Sequence, residues 1–449
     1  MDGKELVIQT YKHQDVERAP WVPFAGVHAG KLVGYSAKEV LLDEEKLFRA
    51  LMEVNKLYQP DGQPVMFDLQ IEAEILGCDL MWADFVPPSV ASHPLRDTSV
   101  MMEKTISKED GRIPMVLRTM KRMKEAVGDT TALYGLFCGP LTLASHLRGT
   151  PLFLDMVLDS DYVHKLMAYT TGVAKTMAGF YIEAGMDIIA PVDPLVSQIS
   201  PKHFQQYLSQ PYQEIFSYIQ RQKRFSSFFV CGNAIKNIEE MCQTGPDAIF
   251  IDENIDMAQA KIITDGYDIV LGGNIPLTTT MLFGTQQDNM KFVVDLLEKV
   301  GTKNLVISPG CDMPYDVPVA NTVAAAQAVR YPDKARQLID GYTSKSFDAV
   351  IDVPDYAHLK RPLIELFTLD PKTCAACTYM LASVEEVKSK LGEEKYDWGD
   401  YRYNNIKDIA RMSKVGVKNL PSIYINGELV FDSLIPTQEE LMKAIERVC

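Results

Sequence analysis

Between about Trp21 and Pro309, short apolar or β-branched runs alternate with longer stretches whose apolar residues recur every three or four positions. A period near two marks strands and a period near 3.6 marks amphipathic helices, so this alternation reads as repeated βα units around a parallel sheet. Strands are predicted at 22–26, 64–69, 132–137, 188–192, 226–230, 248–251, 269–272 and 305–308. Eight such strands point to a closed (β/α)8 barrel, the helices supplying the right-handed returns between parallel neighbours. One helix is predicted over 155–184, and another from Ser200, as N-cap with Pro201 at the first helical position, to Ile219.

After Arg330-Tyr331-Pro332 the rhythm changes. The barrel is assigned to 1–340, a Pro- and Asp-containing linker to 341–361, and a second compact unit to 362–449. That unit reads as strand (363–369), helix (374–391), strand, helix (406–412), hairpin and helix (437–448). The hairpin flanks Asn426-Gly427, a strong two-residue turn signal, and Thr437 with Glu440 forms a capping box before the last helix. The fold class is therefore α/β: a TIM barrel followed by a small domain.

Composition narrows the chemistry. The 449 residues are 47% hydrophobic and 23% charged, enough for ordinary buried cores. A formal net charge of −15 argues against nucleic acid as partner, because that affinity comes from Lys and Arg neutralising phosphates. No run of about 18 apolar residues and no apolar leader is visible, so no membrane association is expected. Eight cysteines in so long a chain are too few for a disulfide scaffold and favour a reducing compartment, the cytoplasm.

In a (β/α)8 barrel the reactive groups sit at the C-terminal strand ends. That rim carries His28, Asp68, Cys138, Asp193, Cys231, Asp252 with Glu253, Asn274 and Cys311. Cys231 and Cys311 each neighbour a glycine, in Val230-Cys231-Gly232-Asn233 and Ser308-Pro309-Gly310-Cys311-Asp312. Two thiolates with Asp252 or Glu253 form a soft donor set for Zn²⁺. The plainer reading of either cysteine is a small core residue, and of His28 a hydrogen-bonded loop histidine. Cys374-Ala375-Ala376-Cys377 lies between a predicted strand and helix, where the helix N-terminus lowers the pKa of Cys374 and Cys377 stands one turn on to resolve a mixed disulfide.

The barrel resembles the uroporphyrinogen decarboxylase superfamily, and more closely its branch of cobamide-dependent methyltransferases. The resemblance covers about residues 5–335. It rests on Glu72-Ala73-Glu74-Ile75-Leu76-Gly77, Gly139-Pro140-Leu141-Thr142, Glu183-Ala184-Gly185-Met186-Asp187 with Asp193-Pro194, Gly272-Gly273-Asn274-Ile275 and the two cysteine segments. The arginine-rich segment with which decarboxylases grip a polycarboxylate is here Pro23-Phe24-Ala25-Gly26-Val27-His28-Ala29-Gly30, without arginine. The methyltransferase branch implies zinc, held by a His-X-Cys pair and a later Cys that match Cys231 and Cys311, and a corrinoid protein as partner. Phe229 stands where the branch has its histidine, leaving Asp252, Glu253, His28 and Cys138 as candidates for the third ligand. The C-terminal unit resembles a thioredoxin domain, in which Pro421 of Leu420-Pro421-Ser422 matches the proline held in cis beside the dithiol.

These readings predict a metal-dependent methyltransferase that moves a methyl group between a corrinoid (cobalamin) protein and a small thiol or methylated substrate. Cys231, Cys311, Asp252 and Glu253 are the expected metal ligands, and Asp193, Asp68 and His28 the candidate catalytic groups. Asn233 and Asn274 are assigned to substrate binding, and Cys374, Cys377 and Pro421 to redox chemistry. A lyase acting on a small carboxylate and a non-catalytic corrinoid or soft-metal carrier are the alternatives.

Overall fold

A computed structural model describes residues 1–98, 100–344, 351–369, 375–392 and 395–447, with the side chains of 375 and 376 left out. The chain divides into two compact units after Ser344.

Seven parallel strands follow one another in chain order: β1 (Gly62–Pro64), β2 (Ala132–Cys138), β3 (Ile188–Val192), β4 (Phe225–Phe229), β5 (Ala248–Phe250), β6 (Val270–Ile275) and β7 (Leu305–Pro309). Helices return between them, as in an α/β barrel. The predicted first strand is reduced to a parallel bridge between Trp21 and Ile307. Pro20 and Pro23 have no N–H to give a ladder, which shortens the pairing this segment makes. It still bonds on both sides: Val22 N–H donates to the Ile307 carbonyl, and the Asp61 and Gly62 N–H groups donate to the Trp21 carbonyl. The ring is thereby closed between β7 and β1. The second predicted strand begins two residues earlier and stops at Pro64, with Val65 N–H still reaching the Tyr134 carbonyl.

The helices show why the periodic reading worked and where it overran. In the helix Glu44–Tyr58, Leu47, Ala50, Leu51, Val54 and Tyr58 are buried at three- and four-residue spacing, and Asp43 caps it through Lys46 N–H at 2.9 Å. The helix predicted over 155–184 is two, Pro151–Leu158 and Ser160–Glu183, because Asp159 leaves helical geometry to cap the second through Tyr162 N–H. Ser200 caps as expected, but that helix ends at Tyr207 and a second runs Ser209–Arg221.

The second unit has a four-stranded sheet in the order β9-β8-β10-β11, with β8 (Leu363–Thr368), β9 (Asp397–Arg402), β10 (Ser422–Ile425) and β11 (Glu428–Asp432). β8 pairs in parallel with β9 and antiparallel with β10. Helices Ala375–Leu391, Ile406–Val415 and Gln438–Arg447 complete it. Asn426 and Gly427 both have positive φ, 51° and 80°, the conformation this hairpin turn requires. Its core joins Ile364, Leu366, Met380, Val384, Ile423 and Leu441. Thr437 and Glu440 exchange the bonds of the capping box. The Leu420–Pro421 peptide is cis.

Among the described residues no helix is long and apolar enough to cross a membrane.

Candidate functional site

Inward-facing residues of the barrel strands converge on an aromatic floor. The Phe229 ring centroid lies 4.8 Å from that of Phe24, 5.7 Å from Phe67 and 5.8 Å from Phe250, and Tyr134 closes the cluster. Phe229 is 1% exposed. Cys231 and Cys311, each two residues beyond its strand, rest half-buried against this floor. Their Cα atoms are 6.2 Å apart and their sulfurs are joined in a disulfide.

The loop after β5 holds both cysteine loops. The Asp252 carboxylate accepts the Gly232 N–H and, at 2.8 Å, the Asn254 N–H. Glu253 Oε1 accepts the Leu277 N–H at 3.2 Å, while Oε2 is buried without a hydrogen-bond partner and lies where a side chain on Gly310 would have to stand. Only glycine fits before Cys311 for that reason. Burial raises both carboxyls above their ordinary range, and Glu253 is pushed further by the neighbouring Asp252 charge. Asn274, 4% exposed, donates from Nδ2 to the Asp252 and Ile255 carbonyls at 3.1 and 2.8 Å, so it braces this loop. Asn233 Oδ1 accepts the Ile235 N–H within its own turn.

The three candidate acid-base residues are each engaged by the protein. Asp193 is fully buried: Oδ1 accepts Thr142 N–H (3.0 Å) and Oγ1 (2.6 Å), Oδ2 accepts Leu141 N–H (2.9 Å) and Tyr212 OH (2.6 Å). It anchors the N-terminus of the helix Pro140–Arg148, where a carboxylate suits the free N–H groups. Asp68 pairs with the Arg112 guanidinium and accepts the Gln70 N–H. His28 is 0% exposed, with Nδ1 2.9 Å from the Tyr315 carbonyl and Nε2 2.6 Å from Tyr58 OH. A carbonyl partner fixes the proton on Nδ1, so Nε2 accepts from the tyrosine. Burial lowers the His28 pKa to about 4 and keeps the ring neutral. Each of these three residues holds elements of the barrel in place through its protein partners.

The zinc set implied by the resemblance does not fit this arrangement. The two sulfurs are bonded to each other, Phe229 occupies the histidine position within the aromatic floor, and both His28 nitrogens have partners. Among the described residues no group of three or more His, Cys, Asp or Glu side chains is placed to hold a metal ion. Cys138, the remaining candidate, is fully buried and its thiol is raised by that burial.

Two acids escaped the sequence reading as individual residues. The Asp312 carboxylate lies where a side chain on Gly26 would have to stand, with Oδ1 buried and without a hydrogen-bond partner, and Met313 N–H donates to the Phe24 carbonyl at 2.8 Å, so the last loop packs on the first barrel segment. The position of Asp312 directly after Cys311 was the available signal. Glu72 accepts the Cys138 N–H at 3.1 Å and leaves Oε2 unpartnered. Burial pushes its carboxyl up to about 7. Because the folded pKa exceeds the unfolded value near 4.5, the native state holds an extra proton between those values, and stability contributed by this group falls as pH rises through that window, by about 3 kcal/mol. We expect Glu72→Gln to remove that slope in urea titrations between about pH 4.5 and 7. His28 acts with opposite sign but is common to both proteins and cancels in the difference. Parallel curves would show that Glu72 ionises normally.

In the C-terminal unit Cys377 is fully buried in the helix Ala375–Leu391 and disulfide-bonded; Cys374 lies outside the described residues. Glu365, buried in β8, is held by Arg411 at 2.6 Å and Tyr356 OH at 2.7 Å.

Comparison with known proteins agrees with this architecture. The family model described as uroporphyrinogen decarboxylase (URO-D) matches residues 2–331, and a thioredoxin domain model matches residues 364–446. The methylcobamide:CoM methyltransferase MtbA of Methanosarcina acetivorans is 27% identical over 326 residues, covering 71% of this chain and 94% of that protein. MtaA of Methanosarcina barkeri is 28% identical over 269 residues, 58% of this chain and 76% of that one. A solved methyltransferase from Methanosarcina mazei superposes with a TM-score of 0.66 at 24% identity, over 74% of this chain and 98% of its own, which supports the barrel fold. The chain belongs to the uroporphyrinogen decarboxylase (URO-D) family and carries a thioredoxin domain at its C-terminal end.

Proposed function

We propose that this protein is a methyltransferase that moves a methyl group between a corrinoid carried by a partner protein and a small thiol at the barrel mouth. The convergence of Cys231 and Cys311 over an aromatic floor carries the reading, in a chain whose relatives include methylcobamide:CoM methyltransferases. In such a transfer a thiolate sulfur attacks the methyl carbon while the methyl–cobalt bond pair stays with cobalt, so a mouth lined by sulfur and apolar rings suits both partners. The lyase alternative assigns proton transfer to Asp68 or Asp193, and both are engaged by protein groups. The thioredoxin domain is assigned to thiol redox or delivery. A cytoplasmic location is part of the same reading, in which the thiols work in their reduced form.

The reading is tested by anaerobic demethylation of methylcobalamin, with a panel of small thiols and the protein fully reduced. Thiol-dependent demethylation is expected. Bound corrinoid with no turnover would instead fit the carrier.

Zinc enters this proposal only through the open, reduced form of the two cysteines. Phe229→His restores the nitrogen donor that the related branch uses. In reduced protein the substitution is expected to raise zinc affinity at least about tenfold, the lower end of the effect of residues that merely support a metal's ligands. Zinc titration with a chromophoric chelator checks this, with near-ultraviolet circular dichroism to confirm that the aromatic floor survives. Unchanged affinity would mean that another residue already fills the position.

A further inference from the structure

The two mouth cysteines meet each other although their strands are not neighbours. β5 and β6 lie between β4 and β7 in the sheet, yet the loops after β4 and β7 lean inward until the Cα atoms stand 6.2 Å apart, within the range of a disulfide. The approach is built in: Asp252 takes the Gly232 N–H beside Cys231, and Glu253 packs against Gly310 beside Cys311, so one loop holds both. Both cysteines are half-buried and pack against the ring cluster, so neither residue is sealed inside the core. The same chain carries a thioredoxin domain with a Cys-Ala-Ala-Cys motif.

We propose that Cys231 and Cys311 are a redox-active cystine opened by a thioredoxin-class dithiol, so that the barrel mouth alternates between a closed state without thiols and an open dithiol state. A thiolate of the donor attacks one barrel sulfur, the Cys231–Cys311 bond breaks, and the displaced sulfur leaves as a thiolate that takes up a proton. The second donor thiol then attacks the mixed disulfide, releases the other barrel sulfur as a thiol and leaves the donor as a disulfide. Two electrons and two protons pass from donor to barrel. The regulatory consequence rests on the methyl-transfer reading; the couple itself does not. This chain's own Cys374 and Cys377 and a separate thioredoxin-class protein offer the same donor chemistry.

The test equilibrates the full-length folded protein in buffers of reduced and oxidised dithiothreitol, quenches it with acid, alkylates it and quantifies residues 231 and 311 by peptide mass spectrometry. Both cysteines are expected to convert together, reversibly and with one midpoint, and Cys231→Ser should leave Cys311 alkylatable across the whole range. Free thiols at both positions in the most oxidising buffer would overturn the proposal, as would a cystine that opens only after unfolding. Opening by trace dithiothreitol is then timed in the wild type and in the Cys374→Ser, Cys377→Ser double variant. A rate about tenfold slower in the variant supports the chain's own dithiol as donor, and equal rates support an external one. Methylcobalamin demethylation on the same samples separates the two proposals. A titrating couple with no turnover in either state upholds the cystine and removes the methyltransferase reading, whereas turnover with both cysteines free in every buffer does the opposite.

Discussion

Cys231→Ser and Cys311→Ser are each expected to lower thiol-dependent methylcobalamin demethylation on the order of 10³-fold in reduced protein, equivalent to about 4 kcal/mol of transition-state stabilisation. The hydroxyl is close to the thiol in shape but has neither its polarisability nor its accessible anion. Both cysteines rest on the rim of the ring cluster and outside the fully buried core, so their replacement leaves the barrel folded. The comparison of kcat with KM carries the diagnosis. A fall confined to kcat points to sulfur acting in the transfer, whereas a rise in KM alone points to a binding role. Full activity in both variants would move the chemistry away from the mouth cysteines altogether.

The largest stability effect is expected at Arg112. Its Nη1 pairs with Asp68, its Nε donates to Glu74 Oε2 at 2.8 Å, and the guanidinium lies 5.1 Å from the centre of the Trp82 ring. The Asp68 side chain is 0% exposed and that of Arg112 8%, so the pair is shielded from water. Arg112→Met leaves the Asp68 carboxylate buried without its cation and should cost about 3–5 kcal/mol. Adding Asp68→Asn removes the stranded charge and should return most of that loss, which a single lost contact would not allow. Urea denaturation of the two single variants and the double variant checks this. A loss under about 1 kcal/mol for Arg112→Met would show that Asp68 finds other partners.

Much of the architecture was legible because it is local and periodic. The βα alternation placed seven strands of the ring, and Asn426-Gly427, Thr437 with Glu440, Asp43 and Ser200 carry their turn and caps in their own side chains. The errors fall where short-range pattern competes with a local break. Asp159 and Leu208 divide helices that apolar spacing runs together, because a cap or a single non-helical residue barely disturbs a periodicity summed over many turns. The first strand shrank to a bridge, its pairing shortened by prolines that cannot donate, although its residues still close the ring.

At the rim, residue types were readable and residue partners were not. The sequence alone determined that thiols, acids and amides gather at strand ends, that Phe229 replaces a nitrogen donor, and that a Cys-X-X-Cys unit follows the barrel, since each depends only on identity and local spacing. Tertiary structure decided that Cys231 faces Cys311 across two intervening strands, that Asp193 caps a helix from another βα unit, and that Asp68 belongs to Arg112. Those pairings join residues 80, 51 and 44 positions apart. No periodicity encodes such separations; they are fixed by barrel closure and by the need of every buried charge and polar group for a partner.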